Sequence, residues 1–103
     1  MAITNTLLDI YPQEIYHSYG ENAVTTIYLC NTSGSTVIVD LHACTGNTTP
    51  DSTNLIYYQL AIAAGDTYVI DTEKIILEND DTLQATSDTG NAVVVATTIS
   101  IGI

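Results

Sequence analysis

The chain has 103 residues, enough for one domain with its own core, and carries one Lys, twelve Asp or Glu and a formal net charge of −11. Nucleic acids and anionic membranes both need several cations to hold them, so the composition excludes both as partners. Hydrophobic residues make up 46% of the chain and charged ones 13%, and the supply of Thr, Val, Ile and seven Tyr favours a folded, pleated structure over disorder.

Residues 1–22 read as an N-terminal arm with an edge strand, and residues 23–103 as the folded domain. The opening residues have no basic stretch and no long apolar run, so no secretory leader is expected. Tyr11-Pro12-Gln13 interrupts the first apolar run, and Pro12 belongs at an edge or in a connection. Residues 24–31 and 37–44 read as strands flanking the polar loop Asn31-Thr32-Ser33-Gly34-Ser35, a pattern that predicts a hairpin. In the second strand Val37, Val39, Leu41 and Ala43 share one face, with Asp40 and His42 on the other. Residues 45–54 form the longest polar loop. The strand at 55–62 is expected to turn Ile56, Tyr58, Leu60 and Ile62 inward. After the turn Ala63-Ala64-Gly65-Asp66 comes a strand at 67–71, then a short strand or cover segment at 74–77. The turn Glu78-Asn79-Asp80-Asp81 leads to a strand at 82–86 with Leu83 and Ala85 inward, and a last strand occupies 93–101. Turn signals recur roughly every 8 to 15 residues, which predicts an all-β antiparallel sandwich, jelly-roll or Ig-like, of about seven or eight strands.

Few residues suggest chemistry. In the expected hairpin, Cys30 lies near the turn and Cys44 about 26 Å along the ladder, beyond the about 7 Å that a disulfide spans. Both are therefore expected as free thiols. No paired Cys or His motif points to zinc. His42 shares a face with Asp40, a pairing that fits a cross-strand polar patch better than a general base. Half of the acids, Asp66, Asp71, Glu73, Glu78, Asp80 and Asp81, gather within residues 66–81. Turn acids chiefly serve solubility; Glu78, Asp80 and Asp81 are the one weak candidate cation site, for calcium, and no cofactor is expected. No motif of a hydrolase or a phosphate-binding loop occurs, so the chain is not expected to be an enzyme. Val93, Val95, Ile99, Ile101 and Ile103 continue an alternating apolar pattern to the last residue. Such a strand is either central or part of an oligomer contact, and these five residues are the interface candidates.

Two stretches carry a resemblance. One is Thr25-Thr26-Ile27-Tyr28-Leu29-Cys30-Asn31-Thr32-Ser33. The other is Leu60-Ala61-Ile62-Ala63-Ala64-Gly65-Asp66-Thr67-Tyr68-Val69-Ile70-Asp71-Thr72, continuing to Glu78-Asn79-Asp80-Asp81-Thr82-Leu83. With them, residues 23–101 resemble the small β-sandwich structural proteins of tailed-bacteriophage virions. The resemblance implies a capsid decoration (cement) protein, a homotrimer that binds the major capsid protein on the outer face of the shell. Such a protein is assembled in the host cytoplasm and resides in the virion. The alternatives are a tail, baseplate or fibre component, or a carbohydrate- or receptor-binding β-module using Tyr57 and the loops at 45–54 and 87–91.

Overall fold

The computed structural model describes residues 2–46, 48–71 and 75–101, leaving aside the side chains of residues 2, 99, 100 and 101. The described residues form nine strands and no helix. They are β1 (Ala2–Leu7), β2 (Gln13–His17), β3 (Asn22–Asn31), β4 (Val37–Cys44), β5 (Leu55–Ile62), β6 (Thr67–Ile70), β7 (Ile75–Leu77), β8 (Thr82–Ser87) and β9 (Val93–Ile101). One sheet runs β1-β9-β3-β6, with β7 also on β3; the other runs β2-β8-β4-β5. All pairings are antiparallel.

The pairing is nested. β4 pairs with β5, β3 with β6 and β7, β2 with β8, and β1 with β9. The chain is thus one long double strand, with residues 45–54 at its tip, rolled so that β3 meets β9 and β4 meets β8. This is jelly-roll order. An Ig-like sandwich would place its first two strands side by side in one sheet; here β1 and β2 lie in different sheets. The strand count exceeds the expected seven or eight partly because residues 67–77 supply two strands, β6 and β7, to the same neighbour.

The hairpin expected between residues 24–31 and 37–44 does not form. β3 and β4 belong to different sheets, and residues 32–36 carry the chain across. Asn31 makes that corner. Its side chain is fully buried and its amide donates to the carbonyls of Ser35 (2.8 Å), Ile62 (2.9 Å) and Ala63 (3.3 Å). Its Oδ1 accepts from the Ser33 amide and hydroxyl. A loop built on such local bonds looks like a turn in sequence, but these bonds hold a sheet switch. Residues 1–22 supply β1 and β2, one edge strand for each sheet, and Leu8 and Ile15 enter the core.

The core is aliphatic, with Val24, Ile27 and Leu29 facing Val37, Val39, Leu41 and Leu83. Each such side chain contributes about 1.5–3 kcal/mol on burial. β9 lies between β1 and β3, and Val93 and Val95 are fully buried in this core. They are therefore unavailable to a partner, which corrects their assignment as interface residues. Ile99 and Ile101 lie on β9 with their side chains outside the described part, and Ile103 lies outside the described residues.

β5 departs from the expected alternation. Tyr58 and Ile56 are exposed, while Leu60, Ile62 and Tyr57 face the core. The cause is a bulge. Val39 pairs with Leu60 and Leu41 with Tyr57, so Tyr58 and Gln59 together oppose Asp40. Gln59 adopts φ 55° and its N–H donates to Asp40 Oδ1 at 2.8 Å. The extra residue reverses the phase of everything before it. On β6, Ile70 is buried but Tyr68 is about 40% exposed, because β6 is an edge strand.

Candidate functional site

The residues singled out for chemistry are used as structural ties. Asp81 braces two loops, its Oδ1 accepting from the Gly46 amide (2.9 Å) and its Oδ2 from the Glu78 amide (3.0 Å). Asp80 has φ 70°, and its Oδ1 lies 3.2 Å from His17 Nε2. Glu78, Asp80 and Asp81 therefore do not converge on a common centre. Among the described residues no group of three or more His, Cys, Asp or Glu is placed to hold a metal. Glu73 lies outside the described residues.

His17 stands between two carboxylates, with Glu14 at 3.4 Å from Nδ1 and Asp80 at 3.2 Å from Nε2. The carboxylates occupy opposite ring nitrogens, so they cannot share one ion with the imidazole. Tyr19 stacks on the ring at a centroid distance of 4.5 Å. This ties β2 to the β7–β8 turn, together with the backbone bonds Ser18 N–H to Asp81 O and Asp80 N–H to Ser18 O.

His42 does not meet Asp40. Its register places it on the outer side of β4, opposite Gln84, yet it is buried because the tip loop folds over it. Nδ1 lies 2.7 Å from Asn54 Oδ1. The Asp51 N–H donates to the same Oδ1, which identifies that atom as oxygen, so His42 Nδ1 is the donor. Asp51 in turn accepts from the hydroxyl and the amide of Thr53. These two bonds hold its carboxyl below the usual carboxylate range, the hydroxyl contributing most.

Both cysteines are free thiols. The hairpin geometry behind that expectation is absent; Cys30 belongs to one sheet and Cys44 to the other. Cys44 is buried, and desolvation pushes its thiol pKa up.

The outer face of the five-stranded sheet was not singled out from sequence. Register aligns Leu7, Val94, Cys30 and Thr67 in one row, and Asn5, Ala96, Tyr28 and Val69 in the next. Ile3, Thr98 and Thr26 form a third. None of these eleven side chains is charged, although the chain carries twelve acids. Ile3 is 66% exposed, and Leu7, Tyr28, Val69 and Val94 are exposed as well. Ile76 on β7 extends the patch. The described acids lie elsewhere, in the connections and on the other sheet. The signal was present in outward positions such as Leu7, Tyr28 and Val94, but reading it required the pairing partners.

Comparison with protein-family models, curated protein sequences and solved structures finds no match to this chain.

Proposed function

We propose that the chain is a virion structural protein, a capsid decoration protein that self-associates as a homotrimer and binds the outer face of the shell. The observation that carries this reading is the uncharged, partly apolar outer face of the five-stranded sheet on a chain of net charge −11. Copies of so acidic a chain repel one another, and they repel least where no carboxylate stands between them. Contiguous exposed apolar surface is also what interaction sites offer. The jelly roll is a frequent scaffold for shell-forming and surface-binding proteins, which agrees with the resemblance of residues 23–101.

The test is assembly. The purified chain should sediment as a trimer, bind particles that lack it, and be released by salt where its acids meet a basic shell surface. A strict monomer that ignores such particles would contradict the proposal.

A further inference from the structure

A groove of about 420 Å³ opens on the outer side of the four-stranded sheet, away from the uncharged face. Ile10, Asp40, Tyr58, Gln59, Thr86 and Asp88 contribute to its lining. The β5 bulge builds it. Asp40 Oδ1 holds the Gln59 N–H, which turns Tyr58 outward to 67% exposure. Asp88 Oδ1 fixes the other wall by accepting from the Ile38 N–H at 3.1 Å and the Thr89 hydroxyl at 3.2 Å. Each carboxylate thus has one oxygen anchored, while no donor among the described residues engages Asp40 Oδ2 or Asp88 Oδ2. Among the described residues no Lys, Arg or His lines the groove.

We propose that this groove receives an arginine side chain presented by a basic partner protein. The chemistry selects a cationic donor. Two half-satisfied carboxylates offer acceptors, and a planar guanidinium offers five donors with no acceptor. The exposed Tyr58 ring supplies a face on which a cation stacks. The two carboxylates, with no cation beside them among the described lining residues, favour a charged donor over a neutral sugar. The bulge, which costs a left-handed conformation at a non-glycine residue, is what sets ring and carboxylate side by side. The inference goes beyond the decoration reading and holds whether or not the basic partner is a capsid shell.

The test uses the full chain and a blocked Gly-Arg-Gly peptide, followed by amide chemical shifts. The expected result is saturable binding, with a dissociation constant on the order of 1 mM for so small a probe, and shifts confined to residues 38–40, 58–59 and 86–88. The citrulline peptide, equal in shape but neutral, should not bind. Asp40→Asn and Asp88→Asn keep the anchoring oxygen and so the fold; each should weaken binding up to about fivefold. Glu78→Gln removes the same charge outside the groove and should leave affinity unchanged. Absence of binding, shifts spread over other acids, equal loss in Glu78→Gln, or equal binding of citrulline would each overturn the proposal. So would a neutral disaccharide occupying the groove in preference to the peptide.

Discussion

Asn31→Ala tests the sheet-switching corner. The wild-type side chain is fully buried, gives two short hydrogen bonds to the Ser35 and Ile62 carbonyls, and accepts from the Ser33 amide and hydroxyl. Alanine removes these partners at once, and at the buried bond to the Ile62 carbonyl water cannot take the place of the amide. With about 1 kcal/mol per net hydrogen bond, and up to about 3 for a buried group left unpaired, the expected loss is about 2–4 kcal/mol. That is a large share of the about 5–15 kcal/mol by which a domain is stable. At about 4–8 °C per kcal/mol for a chain of this size, Tm should fall by about 10–25 °C in a circular-dichroism melt. Ser33→Ala removes only one partner and should cost about 1 kcal/mol. If Asn31→Ala melted within a few degrees of wild type, the corner would not be held as described.

Other outcomes follow from the same structure. Thr97 is fully buried and its hydroxyl is without a partner among the described residues, so Thr97→Val should raise stability by about 1 kcal/mol in urea unfolding. Thr98→Val, which breaks the 2.8 Å bond to the Thr25 hydroxyl, should not. Asp51 has a depressed folded-state pKa, so its contribution is complete above the ordinary carboxylate value. It is lost as pH falls through the lower, folded-state value. The protection factor of the Thr53 amide, taken against the unstructured-chain exchange rate at each pH, should therefore fall only once pH drops below the ordinary carboxylate value; a protection factor unchanged by acid would contradict this. In protein diluted below its assembly concentration, iodoacetamide should label Cys30, on the uncharged face, before the buried, pKa-raised Cys44, as peptide mass mapping would report.

Strand positions were legible in the sequence because one-sided burial imposes a period of two. Residues 37–44, 55–62 and 93–101 fall where β4, β5 and β9 lie. What the pattern could not reveal is partnership. A polar loop such as 31–35 serves a hairpin or a sheet switch equally well. Only the carbonyls reached by Asn31, 31 and 32 residues away in the chain, decide between them. The phase reversal at Gln59 was hidden for a similar reason: it depends on the Asp40 carboxylate from a neighbouring strand. The acids of residues 78–81 stood out as a cluster, yet backbone amides take up Asp81, and His17 faces Asp80. The uncharged face and the groove emerge only when outward residues of several strands are set side by side.

Sedimentation of the wild type beside Val94→Asp and Ser52→Asp tests the central claim most directly. Val94 lies within the uncharged face and Ser52 in the exposed tip loop, and both substitutions add one negative charge. The account predicts an oligomer for the wild type and for Ser52→Asp, and a folded monomer for Val94→Asp. A wild type that stays monomeric at micromolar concentration, or a Val94→Asp chain that assembles as well as wild type, would contradict it.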